Sequence, residues 1–383
     1  MSTRIEVNPE LLAWARQRSG LAFDDIAHRF PMLAAWERGE QQPTLKQLES
    51  FAQATHTPVG FMFLPEPPVE MVPIPDYRTI GDAGVRQPSA NLLDTIYQCQ
   101  QRQDWYRDFA ILNRERSVEY VGSLSAAAPV AAAADSIRIA LGFDVENRGS
   151  SRTEALRILI GRAEALGFLV MVNGVVGSNT HRKLDPREFR GFALADPMAP
   201  LVFVNGADTK AAQIFTLLHE LAHLWLGGTA LDDVDLAERG WQDTERWCNQ
   251  VAAEVLMPLA AIPGTLIPGE ALPDTTERLS RKFKASTLAV LRRLYDAGAL
   301  SWDGYRSAYG AELLRLTGLL QERRVSGGGN FYNTQPTRFG RRFTRAVITS
   351  TLEGHTLYRD ALQLLSFKKV STLNELATHL GIG

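Results

Sequence analysis

The segment FTLLHELAHLWLG, residues 215–227, sets His219, Glu220 and His223 into a run that otherwise reads as buried helix. On a helix, residues three and four apart share a face. Ile214, Leu217, Leu218, Leu221, Leu224 and Trp225 then form one apolar stripe, and Thr216, His219, Glu220, His223 and Gly227 form the neighbouring one. Burying a carboxylate and two imidazoles without compensation costs several kcal/mol. A divalent metal compensates: histidines at i and i+4 project their rings one turn apart, which suits two corners of a Zn²⁺ tetrahedron. Glu220 then sits beside the metal, placed to accept a proton from an activated water.

A catalytic zinc takes a third protein ligand. The helix DTERWCNQVAAEVLMP, residues 243–258, offers Glu245 and Glu254. Nine residues at about 100° each put these on opposite sides, so one of them faces the metal. Glu245 shares its face with Asn249 at i+4, a residue suited to holding a ligand in place, and is the candidate. Cys248 is a lesser rival as a soft ligand, and its type is more often a small buried core residue. Asp232, Asp233 and Asp235 read as solvated loop acids.

The rest of the chain must position this set. Its 383 residues suggest two or three domains, and 45% hydrophobic with 22% charged residues is ordinary globular composition. A formal net charge of -2 gives no global attraction to nucleic acid or anionic lipid. Two cysteines, Cys99 and Cys248, are too few for a disulfide framework, and the start MSTRIEVNPELL lacks an apolar signal core. A reduced, cytoplasmic setting is expected, and no apolar run is long enough to cross a bilayer.

Residues 8–56 read as short helices punctuated by Gly20, Gly39 and Pro43. The proline-rich stretch 65–88 reads as a linker. Ser89 is placed to cap a long helix reaching about Asn113, and the alanine-rich 124–141 continues helical. TEALRILIGRAEALG predicts an amphipathic helix, followed by the strands FLVMVNG, FRGFALAD and APLVFVN. Asp208 is placed to cap the motif helix, and the second helix is expected over Thr244–Met257, stopped by Pro258. Beyond 310 the chain reads as helical, apart from a break at 326–333. The fold class is therefore α+β and predominantly helical.

HELAH followed by E-x-x-x-N-x-x-A-A-E-x-L-M-P, here Glu245, Asn249, Ala252, Ala253, Glu254, Leu256, Met257 and Pro258, resembles the ImmA/IrrE family of zinc metallopeptidases. Residues 181–227 resemble the branch of that family fused to an N-terminal XRE-type helix-turn-helix. The resemblance implies a zincin-like core with Zn²⁺ on His219, His223 and Glu245 and with Glu220 as general base. Val251 stands where the family often has an aromatic residue. FRGFALAD is a candidate edge strand for an extended substrate, with a plain core strand as the equal alternative. His181 and Arg190 are the only guesses for an oxyanion donor.

Leu12, Arg16, Gly20, Leu21, Ile26, Ala27, the WERG of 36–39, Pro43, Leu45 and Leu48 resemble the XRE-type DNA-binding domain. The stretch HRFPMLAA between Ala27 and Trp36 is about four residues shorter than the usual arrangement, which removes a turn where base contacts are made. Residues 1–66 carry six Lys/Arg against eight Asp/Glu, whereas phosphate binding requires a basic face. A docking or dimerisation role suits this domain at least as well as DNA binding. Residues 277–301 also read like a helix-turn-helix, with Ser286 as a cap, and serve equally as a packing unit. Nine Lys/Arg against four Asp/Glu in 321–383 suggest a tail for an acidic partner or a solvated basic face.

The resulting divisions are 1–64 (helix-turn-helix-like), 65–120 (linker and long helix), 121–320 (metallopeptidase domain) and 321–383 (basic helical region). The expected function is cytoplasmic zinc-dependent cleavage of a regulatory protein, a repressor or partner, coupled to transcriptional or stress regulation. The alternative is an antitoxin-like protein that binds a toxin partner, with proteolysis secondary. No membrane is expected, and a homodimer stays open.

Overall fold

The structure, a computed structural model, describes residues 4–70, 88–227, 239–322 and 338–382, with the side chains of 239–242 and 319–322 left aside. Asp232, Asp233, Asp235, the break at 326–333 and most of the linker at 65–88 lie outside the described residues.

Four short helices open the chain: α1 (Pro9–Ser19), α2 (Phe23–Ala27), α3 (Leu33–Glu37) and α4 (Leu45–Ala54). Their own core gathers Leu12, Ile26, Phe30, Leu33, Trp36, Leu48 and Phe51. In α3, Leu33 and Trp36 are buried, and Glu37 is held by Arg16 at 2.7 Å. That leaves the five-residue helix with Ala34, Ala35 and the Arg16-paired Glu37 half-buried. The domain docks on the rest of the molecule through Arg18, which bonds Glu70 at 2.5 Å and approaches Asp94 at 3.9 Å.

The long helix α5 (Ala90–Leu112) starts at Ser89, whose hydroxyl accepts from the Leu92 N–H, as its sequence predicts. Next comes α6 (Val130–Leu141), shorter than the alanine content of 124–141 suggests. Pro129 occupies its N-cap, and the stretch before it is spent elsewhere: Gly122 and Leu124 donate their N–H groups to carbonyls of the motif helix.

After α7 (Arg152–Ala165) follow β1 (Leu169–Asn173), β2 (Val175–Val176), β3 (Asn179–Lys183), β4 (Gly191–Leu194) and β5 (Leu201–Asn205). A three-stranded sheet has the order β1-β5-β4, parallel between β1 and β5 and antiparallel between β5 and β4. The small β2–β3 hairpin was not legible in sequence, since Asn179, Thr180 and His181 are exposed and polar. Successive strand residues point to opposite faces. Val170, Val172, Val202 and Val204 enter one core, and Leu169, Met171, Leu201 and Phe203 enter another. With helices on both faces, β1 and β5 are buried throughout, which explains their unbroken apolar sequences.

The first core is shared with α6, α7, α8 (Lys210–Leu226), α9 (Arg239–Leu256), α10 (Leu272–Phe283) and α11 (Thr287–Asp296). The second is shared with α5, α13 (Arg341–Leu352), α14 (Tyr358–Leu364) and α15 (Val370–His379). Phe339, Phe343 and Val347 thus pack on the same sheet face as Leu92 and Ile96, so the C-terminal helices are structural. Several of their basic groups are engaged internally: Arg342 pairs with Glu115 at 2.7 Å, and Arg345 donates to the Leu380 carbonyl. Between the two groups runs α12 (Trp302–Glu322), packed on α11. Among the described residues, no helix is long and apolar enough to cross a membrane.

Candidate metal centre

The motif helix α8 is fixed at both ends. Its N-cap is Thr209 rather than Asp208: the threonine hydroxyl accepts from the Ala212 N–H at 3.3 Å, while Asp208 accepts from the Thr209 N–H one residue too early to reach the first turn. Gln213 ties the same end to the carbonyls of Gly206 and Asp208. At the C-terminus Gly227 adopts a left-handed φ of 86°, and the Leu224 and Trp225 carbonyls accept from Gly122 and Leu124 at 3.1 and 2.8 Å. These are the carbonyls a helix end leaves without intrahelical partners. Trp225 stacks on Phe168 with ring centroids 5.0 Å apart.

The polar stripe faces α9. His219 is fully buried and Glu220 is 2% exposed. The Nε2 atoms of the two histidines lie 2.8 Å apart. Glu245 of α9 brings one oxygen to 3.1 Å from His223 Nε2 and the other to 3.6 Å from His219 Nε2. The donor atoms of His219, Glu220 and His223 all fall within 4.8 Å of one another. Zinc–nitrogen and zinc–oxygen bonds of about 2.0–2.1 Å imply tetrahedron edges of about 3.3 Å. The three donor separations straddle that value, so two imidazoles and one carboxylate fit a divalent zinc by spacing and by donor chemistry.

The C-terminal end of α9 is locked by two buried arginines that sequence reading missed. Arg148 lies in the first core and donates to the Val255 carbonyl at 2.7 Å, and also to those of Leu256 and Phe143. Burial lowers its pKa to about 10, so it remains a cation at neutral pH. Arg293 of α11 donates to the Met257 carbonyl at 2.7 Å and pairs with Glu254. Cations at a helix C-terminus complement its dipole. Glu254 therefore lies on the structural side of α9, as the helical wheel requires, and also accepts from the Leu259 N–H at 3.2 Å. The helix begins at Arg239, five residues before the expected Thr244, and ends at Leu256 ahead of Pro258. Cys248 is buried in the first core. The pair α10 and α11 acts as a packing unit: Thr287, Val290, Leu291 and Arg293 are buried on the second helix.

The strand FRGFALAD forms β4, at the sheet edge among the described residues. The Asn205 N–H donates to the Arg190 carbonyl at 2.7 Å, which fixes the alternation: Phe192 and Leu194 exchange bonds with β5, whereas the backbone groups of Gly191 and Ala193 point away from it. His181 is exposed on β3, and Arg190 is half exposed with Nε 3.5 Å from Asp208.

Residues 163–295 match the family model described as the IrrE N-terminal-like domain of peptidase M78, about a third of the chain. The match runs from the last turn of α7 through α11 and so contains the sheet, both site helices and the α10–α11 pair. It supports the resemblance to ImmA/IrrE proteins and suggests a peptidase. Residues 339–379 match a domain of unknown function, DUF8813, which coincides with α13–α15. Neither match reaches residues 1–64. A search of curated proteins returned no match.

Proposed function

We propose that the chain is a zinc metallopeptidase of the HExxH type, in which His219, His223 and Glu245 hold the ion and Glu220 is the general base. The observation that carries this reading is the triangle of two imidazole nitrogens and one carboxylate at 2.8, 3.1 and 3.6 Å. Zinc in that position supplies a Lewis acid that polarises a peptide carbonyl and brings the pKa of water toward ~7. Glu220, one residue from His219 and nearly buried, takes a proton at its carboxylate and returns it to the leaving amine. Glu245 and the histidines hold charge and orientation, and the helix anchors described above keep that geometry fixed.

A substrate segment in extended form adds to the outward backbone groups of Gly191 and Ala193 by strand pairing, which brings its backbone alongside Glu220. The substrate on this reading is a regulatory protein in the same compartment. The N-terminal helices then serve as a docking unit, since α3 presents no side chain able to read a base edge. In the test, Glu220→Gln keeps zinc and loses cleavage, while His223→Ala loses both. Equal zinc content in wild type and both variants refutes the ligand set.

A further inference from the structure

A glycine inside a strand weakens it and commonly marks a place where something approaches closely. Gly191 of β4 is such a residue, and its φ lies outside the left-handed region, so backbone conformation does not require glycine there. Space does. A Cβ on Gly191 would stand 2.5 Å from Thr216 Cγ2, 2.8 Å from the Phe203 carbonyl oxygen and 3.2 Å from Glu220 Oε1. Thr216 and Glu220 are successive turns of α8 on its sheet-facing side, and both are buried. The neighbouring position on the same strand face, Ala193, is also small.

We infer that Gly191 is a positioning residue for the reaction proposed above, on which this inference rests: its missing side chain forms the notch that seats the Glu220 carboxylate against β4. The notch links two requirements at one residue. Glu220 Oε1 lies 3.2 Å from the place a Cβ of residue 191 would take, and the Gly191 N–H and carbonyl are the groups turned outward from the sheet. The base is thereby registered against the edge strand itself, and a peptide paired to that strand is presented to it at one position.

The test is the Gly191→Ala variant in the full chain, alone and combined with Thr216→Ser, which removes the 2.5 Å contact and leaves those to the Phe203 carbonyl and Glu220. Crystal structures, zinc content, thermal midpoints and cleavage of a mixed-sequence fluorogenic peptide library are compared. The expected result is a Glu220 carboxylate shifted away from residue 191 in both variants, zinc at the wild-type level, and cleavage reduced about 10-fold, less than a full displacement of about 1 Å produces. Thr216→Ser recovers part of the midpoint in this background and leaves cleavage low. Cleavage that recovers in step with the midpoint, or a Glu220 carboxylate that has not moved, overturns the assignment. A wild type that cleaves no library member and an unaffected Glu220→Gln count against the peptidase reading instead, and the position of the carboxylate still decides the role of Gly191.

Discussion

The Nε2 atoms of His219 and His223 point at each other across 2.8 Å, with the Glu245 carboxylate closing the third side. The i, i+4 spacing on α8 creates this convergence, and α9, whose C-terminal end is held by Arg148 and Arg293, supplies the carboxylate. Exposure of the protein to a chelator should lower its thermal midpoint by several degrees, because a ligand bound to the folded state alone stabilises it by mass action. Readdition of zinc restores the midpoint. An identical melting curve with and without chelator, in protein shown to be zinc-loaded beforehand, contradicts the fit.

Arg148 is buried among backbone carbonyls at the end of α9, so Arg148→Met orphans several acceptors at once. Each buried polar group left unmade costs about 1–3 kcal/mol. A loss on the order of 3 kcal/mol is expected in urea titration, with the slope unchanged, and zinc affinity should fall as the helix carrying Glu245 loosens. A variant within 0.5 kcal/mol of wild type, as is usual for surface changes, would show that α9 is anchored by other means.

Glu164 of α7 reaches the start of α13, where Gly340 provides no side-chain cap, and accepts from the Arg342 N–H at 3.1 Å. Burial raises its pKa to about 7. Between the ordinary carboxyl range and that value the folded state holds a proton that the unfolded state has lost. Its contribution is therefore complete at pH 4 and is lost as pH rises through 7, by at most about 3 kcal/mol. Glu164→Gln should match wild type near pH 4.5 and exceed it at pH 8. Parallel stability curves for the two proteins would assign the pH dependence elsewhere.

Duplex DNA should bind the whole protein weakly and without sequence preference. In α3, Leu33 and Trp36 are buried, Ala34 and Ala35 are half-buried, and Glu37 is engaged by Arg16. Fluorescence anisotropy against random and palindromic duplexes checks this. Tight binding with a steep salt dependence would contradict the excess of Asp/Glu over Lys/Arg in residues 1–66.

Much of the candidate site was legible in sequence because its chemistry is local: His219, Glu220 and His223 are set by helical period, and the angle on α9 puts Glu245 and Glu254 on opposite sides, with Asn249 at i+4 favouring Glu245. The strands β1, β4 and β5 were legible as apolar runs between turns. Long-range closure was not. Nothing near Arg148 in sequence announces the end of α9, more than a hundred residues away, and Gly191 in FRGF looks like any strand glycine until α8 is laid across it. The C-terminal region looked basic and separable by charge count. In the fold, Phe339, Phe343 and Val347 belong to a core that begins at α5, so deletion of 321–383 is expected to unfold the chain rather than remove a tail.

The most direct measurement is zinc K-edge absorption spectroscopy on the purified protein. Two nitrogen scatterers with imidazole signatures and light oxygen scatterers, all at about 2.0–2.2 Å, with no zinc edge in His223→Ala, is the predicted result. A sulfur scatterer at about 2.3 Å, which would bring Cys248 to the ion, or the absence of bound zinc after loading, contradicts it.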